Sequence, residues 1–461
     1  MKLSIVVLSF LIPFTSLNAQ TPDSVRTRPY ETLAHDIFTT GLGSGKAYTM
    51  LNDLVTNVGA RLSGSENAFK AIAWGKAKMI ELGFDSVYTE PVMVPHWVRG
   101  KVEKAEVINS SKGKIPLTIC ALGGTIGTPK KGIIGEVIEV QNFDELHALG
   151  EKVKGKIVFY NRPMDRTKFT TGEAYGGAVN QRGSGAIEAA RLGGIGSITR
   201  TMTTRIDDVP HTGAMRYNDS IPKVPATAIS TLDADMLSDL LKKEPHCKIH
   251  LTLSAEVLPD VEQANVIGEI HGTEKPEEVI VMGGHLDSWD KGRGAHDDGA
   301  GCVHSIEALR LLKQMGLHPK RTIRVVLFIN EENGTKGGIA YAAKDRPGQK
   351  HIAAIESDAG GFMPRGFGVS ADSAIYEKIK SWEYLFEPIE ADRIRKGGGG
   401  TDVGELGKNH VVTIGLRVDG QKYFDYHHSD LDTMDKVNER ELEYGAAMMA
   451  ILSYVMAQEG L

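Results

Sequence analysis

Five side chains that can bind a metal ion occur singly along the second half of the chain, each at or just after an apolar run. They are His285, Asp297, Glu332, Asp358 and His428. Imidazole nitrogens and carboxylate oxygens without cysteine thiolates are typical of a catalytic zinc, manganese or cobalt site. The carboxylates of this set offset most of the charge that two Zn²⁺ ions carry, which favours two zinc ions over one. The pattern therefore predicts a metallohydrolase.

Two further carboxylates stand beside these candidate ligands. Glu331 precedes Glu332 and is spare, so it is the candidate general base that takes a proton from a water molecule activated by the metals. Asp287 comes two residues after His285 and is placed to accept the other ring N–H of that histidine, which would fix its tautomer. We predict catalytic roles for both.

Short apolar runs precede the candidate ligands and indicate strands. Residues 279–282, 324–329 and 352–355 are such runs, and a candidate ligand or base follows each of them. In an open parallel sheet, sites form in the crevice outside the carboxyl ends of the strands. We therefore expect the polar side chains to meet at one rim of a sheet.

The alternation of strands and helices predicts an α/β fold with a mostly parallel central sheet flanked by helices. Helices are expected over residues 48–58, 65–82 and 300–315, and a final helix carries Leu442, Ala446 and Met449. In the helix over 65–82, Gly83 supplies the stop. The residues taken to mark one face of that helix are Phe69, Ile72, Ala73, Lys76, Met79 and Ile80.

The 461 residues are too many for one ordinary core. Short β-rich runs over residues 117–254 predict an inserted domain, which divides the main domain into residues 20–116 and 255–461, the latter with the metal site. Residues 1–19 have Lys2, an apolar run over 3–14 and Ala19. This run is too short to span a bilayer, so it predicts a cleaved secretory signal rather than a retained anchor. We expect a secreted or periplasmic protein without stable membrane insertion.

Charge and cysteine content exclude other classes. The net charge is −6 and no clustered basic face is visible, so nucleic-acid binding is not expected. The cysteines Cys120, Cys247 and Cys302 are odd in number and lack motif spacing, so a disulfide framework is not expected.

The segments GGHLDSWD, GAHDDGAG, NEENG, ESDAGG and HHSDLDT follow one another in the order typical of the M28 family of zinc peptidases, which this sequence resembles. GARLSGSE and NVIGEIHG support the resemblance, and the insert resembles a protease-associated domain. The resemblance implies a zinc exopeptidase fold and a homodimer.

The resemblance also implies how the ligands are shared between two zinc ions. Asp297 would bridge both ions, His285 and Asp358 would complete one site, and Glu332 and His428 the other. A cis peptide bond between Asp297 and Asp298 is implied as well.

Some assignments stay open at the level of the sequence. His427 competes with His428 as a ligand, although the spacing to Asp432 favours His428. The arginines of the RIRKGGGG segment would either anchor a substrate carboxylate or form a solvated face; this charged set is Arg393, Arg395 and Lys396. Aromatic residues before the histidines would either line a substrate pocket or belong to the core; they are Tyr423, Phe424 and Tyr426.

The sequence thus predicts an exported binuclear zinc exopeptidase that hydrolyses short peptides, with dipeptides bearing free termini as the expected substrates. An M28 aminopeptidase acting on longer peptides shares every catalytic residue and remains the alternative. A glutaminyl cyclase with one zinc ion, or a receptor domain with an inactive site, is a further alternative. The complete set of ligands weighs against both.

Overall fold

The computed structural model describes residues 28–461, so the predicted signal over residues 1–19 lies outside the described residues. The α-helices of this part are α1 (Glu31–Ser44), α2 (Ala47–Asn57), α3 (Glu66–Glu81), α4 (Phe143–Leu149), α5 (Thr171–Ala178), α6 (Asn180–Arg191), α7 (Thr231–Lys243), α8 (Ala300–Gln314), α9 (Lys336–Ala343), α10 (Ser373–Lys380), α11 (Val403–Gly407), α12 (Tyr423–Tyr426) and α13 (Glu439–Glu459). The strands are β1 (Ser86–Val98), β2 (Glu103–Ser110), β3 (Gly113–Leu117), β4 (Ile119–Ala121), β5 (Ile133–Val140), β6 (Ile157–Tyr160), β7 (Gly196–Arg200), β8 (Ala226–Ile229), β9 (Lys248–Leu253), β10 (Glu256–Ile270), β11 (Lys275–His285), β12 (Arg321–Phe328), β13 (Lys350–Glu356), β14 (Pro364–Ser370), β15 (Arg393–Lys396) and β16 (Val412–Val418).

The main sheet has the strand order β1-β10-β12-β11-β13-β16-β14-β15. Its centre is parallel, because β11 pairs in parallel with both β12 and β13, and β13 pairs in parallel with β16. Every residue of β12 is buried, as expected for a strand covered on both faces. The predicted α/β fold with a mostly parallel central sheet is confirmed.

Helices cover both faces of this sheet. α1, α2, α8 and α13 share the largest apolar core with residues of β11, β12 and β13, and α9 and α11 contribute to a smaller core on the other side. α8 and α13 are buried over most of their length. The four central strands are therefore held rigidly, and their carboxyl ends form a fixed rim.

A second sheet has the order β3-β2-β9-β5-β6-β7-β8-β4 and its own apolar core. Its strands lie between Glu103 and Leu253, so the hairpin of β2 and β3 begins before residue 117, where the predicted insert starts. Apolar and polar residues alternate in β2, as they do in β1 before it. The sequence pattern therefore does not mark the boundary between the two sheets. The domain division and the protease-associated character of this region stay predictions.

The helices expected from periodicity are present as α2, α3 and α8, each within one residue of the predicted bounds. The predicted face of α3 is wrong in part, because Phe69 and Ile80 are 41% and 57% exposed. Small residues form its buried face instead: a Cβ atom at Gly75 would lie 2.8 Å from Leu327 Cδ1. Such close packing needs small residues such as alanine and glycine, which do not stand out as an apolar stripe in the sequence. No helix within residues 28–461 is both long and apolar enough to cross a membrane.

Candidate metal centre

The five predicted ligands lie together at the carboxyl ends of the central strands. His285 is the last residue of β11, Glu332 follows the end of β12, and Asp358 follows β13. Asp297 lies in the loop before α8, and His428 follows the short helix α12. All of them are buried except Asp358, which is partly exposed. The fold thus brings residues that are up to 143 positions apart in the sequence to one rim.

Three of these side chains form a first group around Asp297. His285 Nε2 lies 3.3 Å from Asp297 Oδ1 and 3.5 Å from Asp358 Oδ1. The nitrogen and the two oxygens lie close enough together to hold one metal ion.

A second group forms on the other oxygen of Asp297. His428 Nε2 lies 3.3 Å from Asp297 Oδ2 and 3.1 Å from Glu332 Oε2. His427 Nε2 is 3.9 Å from Asp297 Oδ2, and its ring stacks on that of His428 with centroids 3.4 Å apart. Both histidines can reach a metal ion beside Asp297, but the shorter distances favour His428.

Several hydrogen bonds fix the loop that carries Asp297. The Asp432 carboxylate accepts the main-chain N–H groups of His296 at 2.7 Å and Asp297 at 3.1 Å. The Asp298 carboxylate accepts the N–H of His285 at 3.0 Å. The peptide bond between Asp297 and Asp298 is cis, as the resemblance implies. The carboxylates of Asp432 and Asp298 therefore hold the backbone around Asp297 in place.

The GARLSGSE segment, which contains Arg61, also supports the centre. The buried guanidinium of Arg61 donates to the carbonyl oxygens of Leu286 at 2.6 Å, Arg293 at 2.9 Å and Gly294 at 3.0 Å. These carbonyls belong to the loop between His285 and Asp297. Buried backbone groups need such partners, so Arg61 holds the loop in place.

The predicted role of Asp287 needs a correction. The main-chain carbonyl of Asp287 accepts from His285 Nδ1 at 2.9 Å, whereas the Asp287 carboxylate lies 3.9 Å from that nitrogen. The carboxylate instead accepts the main-chain N–H of Glu331 at 3.1 Å. In the loop after β11, the Asp287 carbonyl therefore lies against the His285 ring, and the Asp287 side chain reaches the segment that follows β12. Asp287 therefore positions both His285 and Glu331.

The carboxylates at this rim are crowded and poorly solvated. Burial, with the Asp358 carboxylate nearby, raises the pKa of Glu331 to about 7. Burial, with Asp297 nearby, raises the pKa of Glu332 to about 8. Concentrated negative charge in a buried place attracts cations.

A cavity of about 310 Å³ opens beside the two groups. One wall comes from the region of the second sheet, because Tyr175 of α5 and Arg182 of α6 line the cavity together with Glu331 and Asp358. Arg182 is 8% exposed and donates to the Tyr175 hydroxyl at 2.7 Å. Its Nε and Nη1 have no hydrogen-bond partner among the described residues. The sequence analysis missed Arg182 and Tyr175, because no local motif marks a residue that reaches the site from another sheet.

The aromatic residues before the histidines have different positions. Tyr423 and Phe424 line the cavity, whereas Tyr426 stacks on His296 with centroids 5.6 Å apart. His296 is fully buried and also stacks on Phe362 at 4.2 Å, so its ring packs in the interior.

The chain is similar in sequence to known peptidases. Residues 265–453 match the model of "Peptidase family M28". The chain is 38% identical over 421 residues to carboxypeptidase Q of Bos taurus, with 90% of this chain and 86% of that protein covered. It is 40% identical to carboxypeptidase Q of Xenopus laevis, with 92% and 88% covered. The chain belongs to peptidase family M28. It is therefore a metallopeptidase, and the predicted resemblance to the M28 family is confirmed.

Solved structures agree with this family assignment. The crystal structure of a peptidase M28 precursor from Shewanella amazonensis is 35% identical, with a TM-score of 0.89 over 94% of this chain and 97% of that one. A zinc aminopeptidase from Bacillus subtilis is 17% identical, with a TM-score of 0.66 over 90% and 95%. The latter shows that the fold is shared over 90% of this chain.

Proposed function

We propose that this M28 peptidase is an exported binuclear zinc exopeptidase that hydrolyses dipeptides with free termini. The observation that carries the proposal is the arrangement of two ligand groups around Asp297, next to a small cavity that Arg182 helps to line. The two ligand groups support two metal ions, and the small cavity with Arg182 supports a short substrate with a free carboxylate.

The spacing of the donor atoms fits tetrahedral metal sites. Metal-ligand bonds of about 2.0 to 2.1 Å place neighbouring donors of a tetrahedral zinc site about 3.3 Å apart. The nitrogen–oxygen separations in the two groups are 3.1 to 3.5 Å. Asp297 Oδ2 is buried and has no hydrogen-bond partner among the described residues, so a lone pair is left for a ligand. His285 and Asp358 would hold one ion, Glu332 and His428 the other, and Asp297 both.

Zinc is proposed over other metals because the donors are imidazoles and carboxylates, and because a zinc aminopeptidase from Bacillus subtilis shares the fold. Bound zinc polarises the scissile carbonyl and activates a water molecule. Glu331 is placed to handle the proton, since its Oε2 lies 4.0 Å from His285 Nε2 and its side chain lines the cavity. In this proposal Glu331 Oε2 takes the proton of the attacking water and passes it to the leaving amine nitrogen.

Arg182 supplies the proposed recognition of the substrate carboxylate. A buried guanidinium with unused N–H groups costs free energy unless an acceptor completes its hydrogen bonds. A carboxylate is the acceptor that matches its planar fork. The small cavity leaves little room beyond a dipeptide, because ligand pockets usually span about 300 to 1,000 Å³. An arginine in the wall of so small a cavity therefore favours substrates whose C-terminal carboxylate lies one residue from the scissile bond.

Export and dimerisation complete the proposal. Residues 1–19 have the composition of a secretory signal, and the M28 resemblance implies a homodimer. Neither rests on contacts within the described residues.

The test is the hydrolysis of one dipeptide in its free, N-acetylated and C-amidated forms, together with the matching tripeptide, each with zinc and with a chelator. We expect cleavage of the free dipeptide only, and none with chelator. The variant Arg182→Gln should raise KM for the free dipeptide by about tenfold or more and should reduce its advantage over the amide. Equal cleavage of the amide and tripeptide by the wild type would instead favour an M28 aminopeptidase. No metal-dependent cleavage of any form would overturn the proposal.

A further inference from the structure

A buried arginine lies where the chain crosses from the main sheet to the second sheet. Arg99 directly follows β1, and its side chain is 9% exposed. All five of its N–H groups donate to acceptors on the two sides of this crossing. Because a buried guanidinium costs free energy unless its hydrogen bonds are made, this full set of acceptors fixes its position.

On the side of the main sheet, Arg99 holds the segment that supports both histidine and carboxylate ligands of the second group. Its Nε and Nη2 donate to the Asp290 carboxylate at 2.8 and 2.5 Å. Asp290 directly follows Trp289. The main-chain N–H of Trp289 donates to Glu332 Oε1 at 3.1 Å, and its indole ring packs against His428 with centroids 5.7 Å apart. An arginine that fixes Asp290 therefore also limits where Trp289 can move.

On the side of the second sheet, Arg99 reaches the backbone of His428 through Thr212. Arg99 Nη2 donates to the Thr212 hydroxyl at 3.2 Å, and this hydroxyl donates to the carbonyl oxygen of Ala121 at 2.9 Å. The same carbonyl oxygen accepts from Arg99 Nη1 at 2.5 Å. The main-chain N–H of the fully buried Thr212 donates to the carbonyl oxygen of His428 at 2.9 Å. Thr212 thus connects the guanidinium to a candidate ligand.

These contacts use the shape of the guanidinium as well as its charge. Nη1 also donates to Glu103 Oε1 at 3.0 Å, so one carboxylate from each region flanks a single positive charge. A planar fork can span both oxygens of Asp290 while it donates to Thr212 and Ala121, whereas a lysine carries three donors on one nitrogen. Replacement by lysine therefore keeps the charge and loses most of the contacts.

We propose that Arg99 is a positioning residue for the zinc ion that Glu332 and His428 would hold. Its guanidinium fixes the two segments that support these ligands, so that His428 Nε2 and Glu332 Oε2 stay 3.1 Å apart. This inference rests on the proposed function, because it concerns one of the two proposed zinc sites.

The effect of Arg99 is directed at one of the two ions. Within residues 28–461, neither Asp290 nor Thr212 forms a hydrogen bond to His285 or Asp358, the ligands proposed for the other ion. Loss of the guanidinium should therefore weaken the binding of one zinc ion and leave the other unchanged. A general loss of stability would weaken both.

The experiment titrates metal-free wild type and Arg99→Lys with zinc in competition with a chromophoric chelator, which gives two Kd values for each protein. We expect one Kd to rise by about 10- to 100-fold in Arg99→Lys, as for other residues that orient metal ligands, and the other Kd to keep its wild-type value. Two wild-type Kd values in Arg99→Lys would overturn the inference.

Arg346→Lys is the matched control for the loss of a buried arginine. The Arg346 side chain is also 9% exposed and pairs with Glu90 at 2.7 Å. Its other hydrogen bonds within residues 28–461 go to the carbonyl oxygens of Tyr341 and Lys344, away from the metal centre. We expect lower stability in urea with both Kd values unchanged. A rise of the same Kd in this control would show that Arg99 acts only through stability.

Thr212→Val tests the connection by a milder change. Valine keeps the shape of the side chain and the N–H that His428 accepts, but it removes the hydroxyl that Arg99 contacts. The same Kd should rise in Thr212→Val, and the double variant with Arg99→Lys should bind zinc no more weakly than Arg99→Lys alone, because both changes break one path. Strictly additive effects would contradict the path through Thr212.

Crystal structures of the metal-free proteins separate this inference from the proposed function. The His428 Nε2–Glu332 Oε2 distance should stay near 3.1 Å in the wild type and in Arg346→Lys and lengthen in Arg99→Lys. That result supports the positioning role even if the wild type binds fewer than two zinc ions, in which case only the proposed function fails. The same distance in all three proteins would contradict the inference.

Discussion

The candidate ligands can be predicted from the sequence, but several side chains that surround them cannot. The ligands themselves follow short apolar runs in recognisable motifs, so their types and order predict the chemistry. The interpretation of Asp287 shows the limit, because spacing along the chain places it near His285 but cannot distinguish its carbonyl from its carboxylate. Arg182 has no such motif and is recognisable only from its buried, unpartnered nitrogens.

At the residue scale, Glu331→Gln tests the proposed general base. The amide keeps the shape of the side chain but cannot accept the proton, so we expect kcat to fall by about 10² to 10⁴-fold with zinc content unchanged. Metal analysis and steady-state kinetics on the same preparation measure both quantities. Glu81→Gln, at an exposed carboxylate on α3, is the control. An unchanged kcat in Glu331→Gln would remove Glu331 from the mechanism.

At the element scale, strands and long helices follow from periodicity, whereas close packing does not. The buried face of α3 is made by residues such as Ala71 and Gly75, whose small size allows contact but gives no apolar stripe. The edge strands β14 and β15 are similar, because their glycines and arginines do not produce the apolar alternation that marks a strand. Strands such as β14 and β15 can be recognised only from the strands with which they pair in the structure.

The contact between Gly123 and Trp289 joins the second-sheet region to the metal centre. The indole ring of Trp289 packs against Gly123 and against His428, with ring centroids 5.7 Å apart, and its main-chain N–H donates to Glu332 at 3.1 Å. A Cβ atom at Gly123 would overlap this ring. The second-sheet region thus supports the Glu332 and His428 side of the centre.

Gly123→Ala should therefore displace Trp289 and lower the free energy of unfolding by about 1 to 3 kcal/mol through overpacking. We also expect weaker zinc binding, since Trp289 positions Glu332. Denaturant unfolding and zinc titration measure the two effects. Gly176→Ala is the matched control, because a Cβ atom at this position of α5 meets no other atom within 4 Å. Wild-type stability and zinc affinity in Gly123→Ala would contradict this description of the contact.

Two buried carboxylates at the start of α2 give the fold a pH dependence. Glu307 accepts the N–H of Lys46 at 3.1 Å, and Glu443 accepts that of Tyr48 at 3.1 Å. Burial, with Glu307 nearby, raises the pKa of Glu443 from 4.5 to about 7. The folded state therefore keeps this proton over a pH range in which the unfolded state has lost it. The contribution of the protonated Glu443 carboxyl group to the free energy of unfolding is fully present below pH 4.5 and is lost as the pH rises through 7.

Glu443→Gln should remove this dependence. Relative to the wild type, the variant should gain roughly 2 to 3 kcal/mol of unfolding free energy between acidic and neutral pH, because an ionised carboxylate is no longer buried. Urea unfolding at a series of pH values with saturating zinc measures the difference. Glu439→Gln, at an exposed position of the same helix, should follow the wild-type curve. Parallel curves for Glu443→Gln and the wild type would show that Glu443 does not carry the effect.

At the scale of the whole molecule, the site is built where two sheets meet. The main sheet supplies most of the candidate ligands, and the second-sheet region supplies Tyr175 and Arg182. The sequence predicts the first contribution because the ligands follow strands of one sheet. It cannot predict the second, because the relative placement of two sheets depends on contacts between residues far apart in the chain.

Zinc removal should destabilise the whole molecule. Without the cations, the buried carboxylates of Asp297 and Glu332 and the partly exposed one of Asp358 repel one another or must be protonated. Ligand binding to the folded state alone adds about 4 kcal/mol at a zinc concentration about a thousand times Kd. We expect a lower Tm in chelator than in zinc, measured by calorimetry, and a smaller difference in Asp297→Asn. Identical Tm values under both conditions would count against zinc at this site.

The zinc stoichiometry of the purified chain tests the binuclear centre most directly. Metal-free protein would be titrated with zinc while zinc bound per chain and hydrolysis of a free dipeptide are followed together. The account predicts saturation at two zinc ions per chain, with full activity reached only as the second ion binds. Saturation at one ion with full activity, or activity that does not depend on zinc, would contradict it.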